Sequence, residues 1–210
     1  ENEWMNIEPD KEEVLEILAH VENEENLDTN YGIKKLINSS SSWNKLIRKT
    51  GILLKLKAML REKVLQKKLN KTQDEKIKTS IEEMIEKHKK GVNHLMIRKV
   101  SESALIKFAQ EEDLSSEVTQ LIKNGNVQHR SNLYKYSPFI DDLGVMRIIT
   151  RLPEDDDKFD YDRRCPLVLP KDHRVTKLII MFYHESSKHV FKNSVVASLR
   201  QKYFIAHIKW

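Results

Sequence analysis

The chain is poor in cysteine and glycine, and it has no long apolar run. Its single cysteine, Cys165, excludes an internal disulfide framework and favours a reducing compartment. With only five glycines, it contains no glycine-rich phosphate loop, and it has no protease or serine-hydrolase motif. No apolar run approaches the roughly 18 residues of a membrane span, and no signal peptide is visible. We therefore expect an intracellular protein, in the cytoplasm or nucleus, with no membrane partner and no small-molecule substrate.

Charged side chains, in contrast, are abundant and unevenly distributed. Residues 1–30 contain eleven acidic residues and one basic residue, whereas residues 44–100 contain 17 basic and six acidic residues. The basic stretch is typical of nucleic-acid binding, because attraction to phosphates grows with the number of Lys and Arg contacts. Solvated helix faces carry similar charge, so a purely structural interpretation stays open.

Apolar periodicity predicts a helical N-terminal half. A short acidic helix is expected over about 11–22, followed by a polar loop over 23–30. The serines at 39–42 offer N-caps for a long helix from Trp43 to about Leu69. Residues 70–91 are nearly all polar and indicate an exposed helix or an insertion. Further helices are expected at about 99–111 and 115–124.

After Gly125 the pattern changes to short extended segments. Residues 133–140 and 145–152 are predicted strands, and the turn chemistry of 141–144 between them indicates a hairpin. A further short strand is expected within 165–170. Asp172 is the predicted N-cap of a helix that reaches His184, and a last helix is expected at about 193–203. The predicted fold class is α+β, mainly α.

Several short motifs occur in a fixed order. Residues 41–48 (Ser-Ser-Trp-Asn-Lys-Leu-Ile-Arg) come first, and 166–173 (Pro-Leu-Val-Leu-Pro-Lys-Asp-His) come last. Between them lie 104–110, then Leu114, Glu117 and Leu121, then 131–144 and 147–152. Together these segments resemble the Pol polyprotein of Bel/Pao-type LTR retrotransposons. The resemblance covers about residues 41–205, the region between RNase H and integrase, and it runs into a truncated integrase zinc-binding domain of the HHCC type.

This resemblance implies four sections in the chain. Each section is defined by its composition and by its place in the motif order. They are an acidic, partly disordered N-terminal segment (1–40), a basic helical connector (41–125), a β-hairpin and extended region (126–170), and a truncated zinc-binding-like helical module (171–210). Ile149 and Thr150 replace two glycines of the family pattern, which is expected of a fast-diverging element.

The resemblance makes His184 and His189 the first half of a zinc site. Residues five apart lie about 140° apart on one unbroken helix, so we expect the chain to break at Ser186–Ser187. A closed structural site needs four ligands, and no cysteine follows His189. We therefore expect no cofactor in this chain, and zinc only if a CxxC pair lies downstream. The alternative is two polar surface histidines near a helix end.

The chain has one segment that is similar to a catalytic motif. Residues 139–142 (Phe-Ile-Asp-Asp) mimic the Y-x-D-D hairpin of reverse transcriptases, in which paired carboxylates hold catalytic metals. The surrounding sequence does not supply a palm-like context, so a structural turn is the better interpretation. We predict no catalytic residues and no enzymatic activity.

The favoured function is therefore a non-catalytic connector with a partial integrase N-terminal domain that supports DNA integration. Its expected partners are DNA or RNA and other domains of the parent polyprotein. The predicted nucleic-acid contacts are Arg48, Lys55, Arg147, Arg151, Lys192, Arg200 and Lys202. The alternative is a host helical scaffold, derived from or only resembling a retroelement, that binds protein partners through apolar helix faces.

Overall fold

Two compact units make up the chain in the computed structural model. It describes residues 29–71, 79, 94–152, 160–187 and 192–206. The first unit consists of Glu1–Leu36 and Ile47–Glu102, and the second of Ile37–Leu46 and Ser103–Trp210. The predicted connector over 41–125 is divided between the two units, and the four predicted sections stay a prediction. The predicted acidic helix over 11–22 and most of the polar segment over 70–91 lie outside the described residues.

Helices dominate the N-terminal half, as predicted. Four helices are described there, in chain order: α1 Thr29–Ser39, α2 Trp43–Lys71, α3 His94–Asp113 and α4 Ser115–Asn124. Ser42 acts as a cap for α2, because its Oγ accepts a hydrogen bond from the Lys45 backbone N–H at 3.4 Å. Gly125 ends α4 in the left-handed conformation that favours glycine, with φ 71°. Helix α1 was not predicted, and its first two residues fall in the predicted loop.

A glycine allows α2 and α3 to approach closely within the first unit. A Cβ atom added to Gly51 would lie 3.2 Å from Ile97 Cγ2 and 3.4 Å from Ser101 Oγ. Glycine inside a helix costs roughly 1 kcal/mol relative to alanine. The close packing of α2 and α3 at this point explains why a glycine stands at position 51 within an otherwise regular apolar pattern.

The second unit is built on a small sheet with helices. Its strands are β1 Pro138–Ile140, β2 Met146–Ile148, β3 Leu167–Leu169 and β4 Tyr203–Ile205, in the spatial order β1-β2-β3-β4. The remaining helices are α5 Tyr161–Arg164, α6 Arg174–Ser186 and α7 Lys192–Arg200. Antiparallel pairs join β1 to β2 and β2 to β3, and a parallel pair joins β3 to β4. The mainly helical α+β fold is confirmed.

The hairpin is confirmed, but its first strand is shorter than predicted. Tyr134–Tyr136 forms a 3-10 helix, and Ser137 has a positive φ of 47°. The cause is local, since the Ser131 Oγ accepts from the Leu133 N–H at 3.2 Å and the Ser131 carbonyl accepts from the Tyr134 N–H at 3.1 Å. These bonds wind the chain into a turn, so the strand begins at Pro138.

The predicted last helix over 193–203 is wrong at its C-terminal end. Helix α7 stops at Arg200, and Tyr203 begins β4, in which it pairs in parallel with Leu167 of β3. Tyr203 is buried, with 4% exposure. Residues after 170 therefore contribute a strand to the same sheet as the hairpin, which a purely helical C-terminal module would not do.

One hydrophobic cluster fills the space between α4 and the sheet. Its buried members are Leu121, Val127, Leu133, Met146, Ile148 and Val168. Tyr136 and Phe204 pack against it and are partly exposed. Burying an apolar side chain of this size stabilises the fold by roughly 1.5–3 kcal/mol, so the cluster fixes the position of the sheet. In the part of the chain that the structure describes, no helix is both long and apolar enough to cross a membrane.

Candidate nucleic-acid interface

Helix α2 concentrates positive charge on one long element. Its 29 residues contain ten basic residues and a single acidic one, Glu62. At 1.5 Å per residue the helix is about 43 Å long. Lys57, Lys63 and Lys67 are exposed, as is the predicted contact residue Arg48, whereas the predicted Lys55 is half-buried. The basic character is thus available to solvent along much of the helix.

The second unit holds a separate set of predicted contact residues. Arg151 and Arg200 are exposed, and Lys202 is half-buried with its Nζ 5.6 Å from the centre of the Tyr203 ring. Lys192 is the first residue of α7 and Arg200 its last. Eight helical steps place these two Cα atoms about 12 Å apart. Lys202 lies just before β4, and Arg151 lies after β2. The predicted cations of this unit are therefore distributed over several elements rather than clustered at one point.

Arg147 is the predicted contact residue that the structure places differently. It is 7% exposed, and its Nε donates to Asp141 Oδ2 at 2.6 Å. Its Nη1 donates to Asp162 Oδ1 at 2.9 Å and to the Cys165 carbonyl at 2.6 Å. The guanidinium also lies 4.9 Å from the centre of the Tyr161 ring. Because these partners occupy the guanidinium inside the fold, we remove Arg147 from the candidate interface.

The electrostatics of this cluster keep Arg147 charged. Burial alone would lower the pKa of the guanidinium, but hydrogen bonds and charge from Asp141 and Asp162 outweigh burial, so the pKa is raised. Burial raises the pKa of the Tyr161 hydroxyl as well, against the opposing effect of the Arg147 charge. The cluster therefore ties the hairpin turn to the chain around α5.

The Asp141–Asp142 pair forms a turn, as the sequence interpretation expected. Asp141 Oδ1 accepts from the backbone N–H groups of Leu143 and Val145, at 3.0 and 2.9 Å. Gly144 donates to the Asp141 carbonyl at 2.8 Å and has a φ of 75°. With Oδ2 bound to Arg147, both carboxylate oxygens of Asp141 already have partners within the fold. This arrangement specifies the loop of the hairpin.

His173, rather than the predicted Asp172, is the N-cap of α6. Its Nδ1 accepts from the Val175 N–H at 3.1 Å, and its Nε2 lies 3.0 Å from Glu112 Oε2. A neutral ring with the proton on Nε2 satisfies both contacts. His173 stands in the last motif of the resemblance, but its role was missed because the Glu112 partner lies 61 positions earlier.

The cap can be tested by comparing neighbouring alanine variants. We expect His173→Ala to lower the free energy of unfolding by about 1–2 kcal/mol, because the first turn of α6 loses its acceptor. His173→Ser restores an acceptor and should recover most of that loss. Asp172→Ala, at an exposed position, should change stability by less than about 0.5 kcal/mol. Urea denaturation followed by circular dichroism measures all three, and a larger loss for Asp172→Ala would contradict the assignment.

Of the two histidines, the structure describes only His184. It is exposed in the last turn of α6, and the helix ends at Ser186 as predicted. His189 lies outside the described residues. Within the described ranges, no group of three or more His, Cys, Asp or Glu side chains is arranged to hold a metal ion.

The chain was compared with protein-family models, with curated proteins and with solved structures. None of the three comparisons finds a match.

Proposed function

We propose that the chain is a non-catalytic, nucleic-acid-binding connector of a Bel/Pao-type retrotransposon polyprotein, located ahead of the integrase core. The observation that carries the proposal is the charge of α2, ten basic residues against one acidic residue on a single helix. Double-stranded DNA carries one negative charge per roughly 1.7 Å of its axis. A helix of about 43 Å with exposed lysines is suited to lie along such a phosphate array.

The arrangement of the motif residues supports the retrotransposon part of the proposal. Trp43, from the first motif, is 2% exposed and belongs to the second unit. Asp141 organises the hairpin turn, and His173 caps α6. Motifs that lie far apart in sequence thus have structural roles within one compact unit. Residues that jointly specify a fold are expected to occur together and in order, as they do in the resemblance.

In this function the chain would hold nucleic acid for a neighbouring integrase domain. The exposed residues assigned to the contacts are Arg48, Lys57, Lys63, Lys67, Arg151, Lys192 and Arg200, together with the half-buried Lys55 and Lys202. Other domains of the parent polyprotein are the further partners, and the compartment is intracellular. No chemical step is assigned to the chain, since supporting DNA integration requires binding and positioning only.

A charge-neutralising triple variant tests the role of α2. We expect Lys57→Gln, Lys63→Gln and Lys67→Gln together to weaken duplex DNA binding by more than about tenfold at low salt, because three phosphate contacts are lost. Glutamine has nearly the helix propensity of lysine, so the helix should persist. Fluorescence anisotropy with a labelled duplex provides the measurement.

The matched control removes the same charge elsewhere. Lys123→Gln, Lys171→Gln and Lys177→Gln are exposed positions outside α2 and outside the assigned contacts. This variant should bind duplex DNA within about threefold of the wild type, since its change in net charge acts only at long range. Equal losses in the two triple variants would show that binding depends on total charge and not on α2.

A second candidate function is a scaffold that binds a protein partner. Met59 and Leu60 favour it, because they are 55% and 58% exposed at adjacent positions of α2. Apolar side chains of this size on a surface helix are suited to an interface. Absence of any DNA or RNA binding by the full chain at low salt would favour this candidate and reject the first.

A further inference from the structure

A cavity of about 470 Å³ opens at the end of the sheet where β2 ends and β3 and β4 begin. We call it the sheet-end cavity. Its described lining includes Tyr136, Thr150, Arg200, Tyr203 and Phe204. Its volume lies within the range of about 300–1,000 Å³ typical of small-molecule sites. The described lining residues belong to the second unit.

The walls of the cavity are aromatic and apolar. The ring centres of Tyr136 and Phe204 are 4.6 Å apart, and both rings remain half-exposed. Tyr203, a third ring, is held from behind by an edge-on contact with Tyr183, with ring centres 6.0 Å apart. The planes of Tyr136 and Phe204 are inclined by 55° to one another, so each ring can offer a planar ligand a stacking face of its own, at low entropic cost.

The charged side chains described at the cavity are cationic. Arg200 is the only charged residue among the described lining residues, and it is exposed at the end of α7. The neighbouring cations Lys202 and Lys135 lie over the Tyr203 and Tyr136 rings, with Nζ 5.6 Å and 5.2 Å from the ring centres. Arg151 directly follows the lining residue Thr150 and is exposed. An aromatic cavity with a cation in its lining and further cations on neighbouring residues matches a ligand with a planar ring and an adjoining anion.

We infer that the sheet-end cavity binds an unpaired nucleobase of a single-stranded nucleic acid. The base stacks in the cavity on the Tyr136 ring, with the inclined Phe204 ring beside it, and Arg200 contacts the adjoining phosphate. Single-strand binding elsewhere combines stacking platforms with a positive groove in this way. The inference rests on the proposed function, and it adds a base-binding site to the phosphate contacts of α2.

The test compares ligands that differ only in their bases. A fluorescein-labelled oligothymidylate and an abasic oligomer of the same length carry the same phosphates, so phosphate contacts alone should bind them equally. We expect the full chain to bind the oligothymidylate about tenfold more tightly than the abasic oligomer, the effect expected of one stacked base. Fluorescence anisotropy at fixed salt measures both affinities, with a labelled duplex as the third ligand.

Variants locate the effect in the cavity. Tyr136→Leu should abolish the preference for the oligothymidylate while leaving duplex binding through α2 unchanged. Arg200→Gln, an exposed position that does not endanger folding, should lower oligothymidylate affinity by about fivefold to tenfold. Lys177→Gln, at an exposed lysine that is not among the described lining residues, serves as the control and should leave the affinity for all three ligands unchanged. A thermal melt verifies that Tyr136→Leu is folded, and if it is not, Arg200→Gln and the abasic comparison decide.

The outcomes separate this inference from the proposed function. Equal affinity for the oligothymidylate and the abasic oligomer, with duplex binding intact, would overturn the base site and leave the proposed function standing. If the cavity binds a protein segment instead, the oligothymidylate and the abasic oligomer should again bind with equal affinity. Tyr136→Leu and Arg200→Gln should then leave the affinity for every oligonucleotide unchanged. Binding to none of the three ligands at low salt would reject the proposed function and the base site together.

Discussion

Arg147→Ala is expected to lower the free energy of unfolding by about 3–5 kcal/mol, the usual effect of removing one partner of a buried ion pair. Its partner Asp141 has a side chain that is only 8% exposed, so the carboxylate left behind stays desolvated. Asp162, with 40% side-chain exposure, can recover water and contributes less to the loss. The loss of the part-buried hydrogen bond to the Cys165 carbonyl adds to the effect.

Two further variants make the Arg147 prediction specific. Arg147→Lys keeps the charge but cannot reach two carboxylates and a carbonyl with a planar fork, so it should recover less than half of the lost stability. Arg151→Ala, at an exposed position four residues later, should cost less than about 0.5 kcal/mol. Urea denaturation measures each variant. A loss below about 1 kcal/mol for Arg147→Ala would contradict a structural role and would return Arg147 to the candidate interface.

Substitution of Gln110 is expected to lower the free energy of unfolding by a similar amount. Its side chain is 1% exposed and ties α3 to two strands. Nε2 donates to the Met146 carbonyl at 2.9 Å and to the Val168 carbonyl at 2.7 Å, and Oε1 accepts from the Met146 N–H at 2.7 Å. Each buried group left without a partner costs about 1–3 kcal/mol. We therefore expect Gln110→Met, which preserves volume, to destabilise the fold by about 3–5 kcal/mol.

Gln110→Glu is the closest replacement in shape, because it exchanges the amide NH2 donor for a carboxylate oxygen, and at neutral pH it adds a negative charge. At neutral pH the new carboxylate would face two carbonyl oxygens in a buried site, so the variant should be less stable than Gln110→Met. Lower pH favours the protonated carboxyl, which can donate one hydrogen bond. The stability difference between Gln110→Glu and the wild type should therefore narrow as pH falls, as measured by urea denaturation across a pH series. A difference independent of pH would show that the amide donor does not matter.

The elements that could be predicted from the sequence are those with local causes. The α2 helix has its own cap and apolar period, and the hairpin has its own turn residues in Asp141 and Gly144. The β4 strand has no such local cause, since Tyr203 continues a helical spacing and becomes extended only through pairing with Leu167. The same holds for Gln110, whose carbonyl partner Val168 lies 58 positions later.

The candidate interface divides in the same way. The charge of α2 can be counted in the sequence, and helix formation distributes it along one element. Burial of Arg147 depends on Asp162, 15 positions away, and on the fold of α5 against the hairpin. The sheet-end cavity is still further from local prediction, because Tyr136 and Phe204 meet only when β4 joins the sheet. The number of charged residues on an element can therefore be predicted from the sequence, whereas which of the side chains are buried cannot.

We attribute nucleic-acid binding to direct phosphate contacts along α2, and the salt dependence of duplex affinity separates such contacts from other modes of binding. The logarithm of the binding constant falls by about 0.9 per phosphate contact for each tenfold rise in salt. With about six contacts, the wild type should show a slope near −5, and the Lys57, Lys63 and Lys67 triple variant a slope shallower by about 2–3. The control triple variant should keep the wild-type slope. A wild-type slope near zero, or the same slope in the wild type and the α2 variant, would contradict binding through phosphate contacts of α2.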